Sequence, residues 1–307
     1  MNEKFMATRR DVLEMISVAG VASLRPVHSF AQQQMPMRAI PSTGEMLPVI
    51  GLGSSKVVSQ ISDNGTGPVA AVLRALVASG GGVVDSWPRN PVNDSGFGEV
   101  INLPDLRDSL FVTTKIDKVG KEAGIVQFRQ TQELYQRETI DLVQIFSLTD
   151  LDTQWPNLKD WKMEGSARYI GVTVSQYERY DQLIEFLGRE TPDFVQINYS
   201  ITERLAEEKL LPMAADMGLA VVLNRPFMNG AYFDRLGGRP LPEWTAEFDC
   251  NSWAQFSLKY ILAHPTVTTI FTETSNPAHM TENAQASFGR LPNAVERAKM
   301  RVLIDEV

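Results

Sequence analysis

The residue best placed for chemistry is a carboxylate, Asp85, inside the stretch Gly80-Gly-Gly-Val-Val-Asp-Ser-Trp-Pro-Arg-Asn90. Val83 and Val84 make a short apolar run, Asp85 ends it, and a tight polar loop follows. A buried strand of this kind delivers its last side chain to the mouth of a parallel β/α structure, where catalytic groups sit. A second reading fits the same residues: Asp85 caps the next helix or closes a turn. Other chemistries have little to draw on. The chain has one cysteine, Cys250, and three histidines, His28, His264 and His279, with no metal-ligand spacing among them, so no metal is expected. No GxGxxG or GxxxxGK follows a strand-like run, which speaks against Rossmann and P-loop nucleotide binding.

The elements that must position Asp85 are legible as alternating periodicities. Apolar strand-like runs occur at residues 49–53, 83–86, 111–115, 142–146, 169–173, 194–198, 220–224 and 268–271. Amphipathic helical segments lie between them, at 68–79, 124–137, 178–187, 203–217 and 252–263 among others. Near-continuous apolar strands alternating with such helices mean a parallel sheet covered by helices. Eight units predict an α/β protein with one closed (β/α)8 TIM barrel. The Gly- and Pro-containing stretch 228–251 reads either as a binding loop or as a surface excursion sealing the barrel.

Composition narrows the partners. In 307 residues, a net charge of −8 argues against nucleic acid, because phosphate binding needs a basic face. No apolar run reaches the roughly 20 residues of a transmembrane helix. At the N-terminus, Arg9 and Arg10 precede an apolar segment from Met15 to Leu24, and Ser29-Phe30-Ala31 follows as a small-residue cleavage site. This is the pattern of a twin-arginine signal, with Val12 where Phe is usual. The predicted organisation is a signal peptide over 1–31, a short linker over 32–37 and the barrel over 38–307. The mature protein is expected in the periplasm or another extracytoplasmic space, exported folded. The competing reading of the N-terminus is an amphipathic helix packed on the body.

Taken in order, the motifs resemble those of the aldo-keto reductases, in the bacterial branch that begins with an export-like leader. They are Ile40-Pro-Ser-Thr-Gly-Glu-Met-Leu-Pro-Val-Ile-Gly-Leu-Gly53, Val84-Asp-Ser86, Thr113-Thr-Lys115 and Ile140-Asp-Leu-Val-Gln-Ile145. Arg168-Tyr-Ile-Gly-Val-Thr173, Phe194-Val-Gln-Ile-Asn-Tyr199 and Thr274-Ser275 with Asn283 continue the likeness to the end of the chain. The resemblance implies a barrel that binds NADP(H) across its C-terminal mouth and reduces carbonyls. It implies a tetrad of Asp, Tyr, Lys and His, in which a tuned Tyr protonates the alkoxide left by hydride addition. Cofactor-binding positions map to Ser54, Thr173, Gln196, Tyr199, Ser275 and Asn283.

The match is incomplete where it matters most. Asp85 and Lys115 stand at the Asp and Lys positions, but Asn90 stands at the Tyr position and Phe146 at the His position. A carboxamide cannot act as a general acid, and a phenyl ring makes no conventional hydrogen bond. Loss of general-acid help alone costs roughly 10²–10⁴-fold in rate. Val174 replaces the polar residue expected after Thr173, and Glu273 puts a negative charge beside the expected phosphate position. The expectation is a degenerate member that binds a small molecule at the barrel mouth or a protein partner, with NADP(H) bound weakly or not at all. The alternative is an NADP-dependent oxidoreductase that reduces carbonyls with an altered site.

Overall fold

The computed structural model describes residues 34–307, so the predicted leader lies outside the described residues. The chain opens with a hairpin, β1 (Met37–Ala39) paired antiparallel with β2 (Met46–Pro48). Ile40 and Leu47, at its turn end, are buried with Val83, Phe111, Leu142, Tyr169, Phe194 and Phe271. The hairpin therefore plugs the end at which the barrel strands begin. Arg38 anchors it by donating to the carbonyls of Leu262, His264 and Val267.

Eight parallel strands follow and close on themselves: β3 (Ile50–Gly53), β4 (Val83–Asp85), β5 (Phe111–Ile116), β6 (Ile140–Phe146), β7 (Ala167–Val174), β8 (Phe194–Asn198), β9 (Ala220–Asn224) and β10 (Val267–Glu273). The last pairs with the first, Ile270 opposite Ile50. Gly51 is required there, since a Cβ would lie 2.6 Å from the Val83 carbonyl oxygen. The first crossover carries α1 (Ser55–Ser59), α2 (Ile61–Asn64) and α3 (Gly67–Ala78). Then come α4 (Pro91–Ile101) after β4, α5 (Lys121–Tyr135) after β5, α6 (Leu151–Glu164) after β6 and α7 (Tyr180–Leu187) after β7. The chain continues with α8 (Leu210–Asp216) after β8, α9 (Ala231–Leu236) and α10 (Trp253–Leu262) after β9, and α11 (Pro277–Gln285) and α12 (Ala294–Asp305) after β10. This is a single (β/α)8 TIM barrel, as the eight strand-like runs predict.

Strand alternation separates two cores. Val84, Val112, Val143, Ile145, Val172, Val195 and Ile197 point outward to the helices. Val83, Phe111, Leu142, Phe194, Ala220 and Val222 point inward and fill the barrel. Above this apolar layer, toward the strand C-termini, the same alternation turns Asp85, Lys115, Gln144, Thr173 and Gln196 into the interior.

Two expectations need correction. The helix predicted at 203–217 is a 3-10 turn, Leu205–Glu207, followed by the shorter α8. Pro212 has no N–H for the carbonyl four residues back, and it is accommodated in the first turn of α8 rather than in the middle of a longer helix. The stretch 228–251, read as a binding loop or a surface excursion, holds α9 and the 3-10 segment Glu243–Phe248. The folded body also begins ahead of residue 38: Met35 is buried in the outer core and β1 starts at Met37.

Candidate functional site at the barrel mouth

Asp85 ends β4 at the C-terminal rim, and Lys115 lies two residues beyond Thr113, the register partner of Asp85, on β5. Lys115 Nζ donates to Asp85 Oδ1 and to the Ser86 carbonyl at 3.2 Å. Thr113 Oγ1 also donates to Asp85 Oδ1, and Gln196 Nε2 reaches across the barrel to Asp85 Oδ2 at 3.1 Å. The carboxylate is thus fully engaged, and the paired side chains are only 5% (Lys115) and 12% (Asp85) exposed. Burial pulls the Lys115 pKa below the usual lysine value, an effect the Asp85 charge opposes. The cap-or-turn reading of Asp85 is not what the loop uses: the helix cap is Asn90.

Asn90, the substituted Tyr position, is exposed and extended (φ −149°), and its Oδ1 accepts from Asn93 N at 3.0 Å, starting α4 just ahead of Pro91. Phe146, the substituted His position, ends β6 and lies flat on Trp87, which donates from Nε1 to Asp117 Oδ2 at 3.0 Å. Arg89 lies over the far part of the same loop, its guanidinium 5.9 Å from the Trp87 ring centroid and donating to the Trp87 carbonyl. Tyr135 is the tyrosine nearest the Asp85 loop, but it is fully buried behind the strands with its hydroxyl on Ser86 Oγ at 3.0 Å. Burial raises its pKa well above the tyrosine norm.

The positions mapped to a cofactor scatter. Ser54 is buried, and both its N–H and its Oγ donate to the Asp85 carbonyl, at 2.9 and 2.7 Å. Thr173 and Gln196 face the barrel interior, both 2% exposed. Val174 points the other way, into the outer core, so its side chain is not at the mouth. Tyr199 is fully buried outside the barrel, its hydroxyl shared by Glu207 and Arg297. That position leaves no exposed ring face on Tyr199. Ser275 is half-buried ahead of α11, whose cap is Asn276. Asn283 is buried in α11. Glu273 ends β10 in solvent and accepts from Lys56 N at 2.7 Å, the first turn of α1.

Four mouth residues escaped the sequence reading: Gln144, Asn198, Asn224 and Arg225. The signal was available in part, since Gln144 and Phe146, or Gln196 and Asn198, are two apart on a strand and share a face. Asn198 Nδ2 donates to the Ser175 carbonyl at 2.9 Å, and Arg225 reaches the same carbonyl at 3.3 Å. Arg225 holds φ +56° directly before Pro226, and Ser147 and Leu148 hold +52° and +54° above β6. Left-handed non-glycine residues are strained, and here they sit on two of the loops that rim the mouth. A separate groove of about 680 Å³ lies at the opposite end, lined by Met37, Arg38, Met46, Leu219 and Val267 among others, and none of the site residues faces it.

Comparison with known proteins places this architecture. No curated protein matches the chain. Among solved structures, an aldo-keto reductase from Bacillus halodurans in its holo form superposes with a TM-score of 0.72 at 22% identity, covering 88% of this chain and 96% of that one. An aldo/keto reductase from Klebsiella pneumoniae in complex with NADP and acetate gives 0.72 at 22% identity, covering 85% and 93%. A second Klebsiella pneumoniae structure, in complex with NADPH, gives 0.72 at 21%, covering 88% and 96%. At these identities the likeness is one of fold. The sequence itself matches the family model for the aldo/keto reductases over residues 50–296, from the first barrel strand to past the last, and the chain belongs to the aldo/keto reductase family.

Proposed function

We propose that this family member has given up carbonyl reduction and works as a binding protein, taking a small molecule at the barrel mouth. The observation that carries this reading is the fate of the two substituted positions. Asn90 spends its side chain on a helix N-terminus in solvent, and Phe146 is packed against Trp87. Among the described residues the hydroxyl bonded to the Asp85–Lys115 pair is that of Thr113, which is committed to Asp85, and the nearby Ser86 hydroxyl is bonded to buried Tyr135. Lys115 itself is buried and donates to two oxygens, which leaves the pair as a structural element of the barrel rather than an acid poised toward solvent.

The residues at the cofactor positions do not fit NADP(H), and weak or absent binding is part of the proposal. One contact suits a nicotinamide: Gln196 Oε1 is free to accept from a carboxamide. Three other features oppose it. Tyr199 has no exposed face, Val174 points away, and Glu273 sets a negative charge at the start of α1. Residues 272–285 contain no lysine or arginine for a 2′-phosphate. The family's usual activity, NADP-dependent carbonyl reduction, is the competing reading, and the lowered Lys115 pKa and the unpaired Gln196 Oε1 are the features that favour it.

Titration of the purified protein with NADPH, followed by a panel of simple aldehydes, decides between the two. Neither binding nor NADPH oxidation above background is expected. Low-micromolar NADPH binding, or steady oxidation lost in Lys115→Met, refutes the proposal. Export of the folded protein by the twin-arginine pattern at Arg9 and Arg10 is proposed alongside. Replacing both by Lys is expected to hold the precursor inside, and an intact Met1 on envelope-fraction protein refutes cleavage.

A further inference from the structure

Arg297 and Arg301, one turn apart on α12, converge on a single carboxylate, Glu207, which ends the 3-10 turn after β8. Arg297 Nη2 donates to Glu207 Oε1 at 2.8 Å and to the Tyr199 hydroxyl at 2.7 Å, and Arg301 Nη1 reaches Glu207 Oε2 at 3.4 Å. From the barrel side, the Tyr199 and Tyr260 hydroxyls both donate to Glu207 Oε1. The Arg297 guanidinium also lies over the Tyr260 ring, 4.4 Å from its centroid. Behind them, His264, two residues beyond α10, sets its ring edge-on to Tyr199 with centroids 6.0 Å apart.

Little else holds α12. Met300 and Ile304 are its buried residues, two of twelve. Its other ties lie toward solvent: Arg204 with Asp305 at 2.9 Å, Lys299 over the Trp244 ring at 4.0 Å, and Arg235 on the Ile304 carbonyl at 3.3 Å. Such surface ties contribute little. The loop ahead of the helix is anchored separately. Buried Lys259 donates to the carbonyls of Phe288 and Arg290 at 2.7 and 3.1 Å, and Arg290 pairs with Glu296 in the first turn of α12. The helix from Arg297 onward is thus a unit that opens locally while its stem and the barrel stay in place.

Added protons work against the docked helix at two points. A neutral Glu207 no longer attracts Arg297 and Arg301, which are left as like charges one turn apart. An imidazolium at His264 meets Arg297 and Arg38, both positive. Burial and then the Arg297 charge hold His264 below the usual 6.5, with Glu207 pulling the other way and Arg38 acting with Arg297. Linkage is reciprocal, so a proton on His264 loosens Arg297 as much as Arg297 resists that proton. The sign follows: the open form takes up the His264 proton more readily, and docking weakens as pH falls below 6.5. Glu207 adds a loss of the same sign below 4.5.

We propose that α12 is an acid-released latch, docked over Glu207 and His264 at neutral pH and swung off the barrel in acid to uncover Tyr199, Tyr260 and Glu207.

Hydrogen–deuterium exchange of the whole protein at pH 7.5, 5.5 and 4.5, expressed as protection relative to the intrinsic rate at each pH, tests this. Peptides over 297–305 are expected to lose protection about tenfold or more by pH 4.5, while those over β5, β6 and β7 keep theirs. His264→Gln, neutral at every pH, is expected to hold its protection over 297–305 between pH 7.5 and 5.5. Glu207→Gln is expected to lower that protection already at pH 7.5, and Arg301→Gln, half-exposed on the helix itself, to do the same should Glu207→Gln fail to fold. Protection over 297–305 that persists to pH 4.5, or is lost together with that of β5 to β7, overturns the proposal. So does a His264→Gln protein that opens between pH 7.5 and 5.5 as the unchanged protein does, or a helix as protected in Glu207→Gln and Arg301→Gln as without them.

Discussion

Phe146 lies flat on Trp87, with ring centroids 4.7 Å apart and planes within 12°. Phe146 shares the inner face of β6 with Gln144, two residues below, so the stacked pair roofs the polar layer of the barrel. An aromatic pair adds about 0.5–1.5 kcal/mol beyond the area it buries. Phe146→Ala is therefore expected to lower stability by about 2 kcal/mol, and to shift tryptophan emission to the red as Trp87 gains water. A urea melt with an unchanged midpoint would show the pair to be idle.

Asn90 is a helix cap and not a depleted acid. Asn90→Ala is expected to cost about 1 kcal/mol, read as a lower urea midpoint with the slope unchanged. Asn90→Tyr loses the same cap. Combined with Phe146→His, it restores the family's two missing side chains, and NADPH-dependent aldehyde reduction is still expected to be absent. Turnover in this double variant would mean that the cofactor positions are intact after all.

Removing one half of the Asp85–Lys115 pair leaves a charge in the barrel. Lys115→Met is expected to destabilise the fold by about 3 kcal/mol, because Asp85 keeps only the Thr113 and Gln196 donors. Asp85→Asn combined with Lys115→Met removes both charges, and recovery of part of the loss is expected. Additive losses in the double variant would argue that the two residues do not act as a pair.

The pH dependence is set by groups away from the mouth. Burial raises the pKa values of Tyr135, Tyr199 and Tyr232 above the tyrosine value of 10.0. Above that pH the unfolded chain loses protons that the folded chain keeps, so stability falls as pH rises, by up to about 1.4 kcal/mol per unit for each tyrosine. Lys115 and Lys259 are shifted down by burial and act in the opposite sense, but only below 10.5. Beyond that pH the tyrosines act together with the buried Cys250 thiol, pushed up to about 11, and against Arg38, Arg89 and Arg137, which burial lowers; unfolding is expected to coincide with the tyrosinate absorbance step. Tyrosinate forming gradually, well before unfolding, would contradict it.

On the acid side the same outer network responds. Burial pushes the Glu207 carboxyl up, but hydrogen bonds from Tyr199 and Tyr260 and the charges of Arg297 and Arg301 bring it below the usual 4.5. A depressed carboxyl stabilises the fold above 4.5, and this is lost as pH falls through the folded value. Glu207→Gln is expected to flatten the acid limb of the stability profile below pH 4.5. A limb as steep as that of the unchanged protein would place the acid-sensitive group elsewhere.

The sequence by itself determined the barrel. Eight apolar runs with helical segments between them can bury both faces of a parallel sheet in few ways, and β8 and β9 occupy the predicted 194–198 and 220–224. It also determined that Asp85 ends a strand and that Asn90 and Phe146 lack a transferable proton, because these are properties of residue type and of position along one strand. What the tertiary structure decided were relations between strands. Asp85 meets Gln196 only because the sheet closes, setting β4 and β8 across one interior. Tyr199 belongs to the outer shell, one residue beyond the end of β8, where Glu207 and Arg297 draw its hydroxyl away from the mouth. The pairing of Asn198 with Asn224 depends on the register of β8 against β9, which no single strand encodes. Local pattern sets which face a side chain takes, whereas the partner it finds there is set by closure and register between strands distant in the chain.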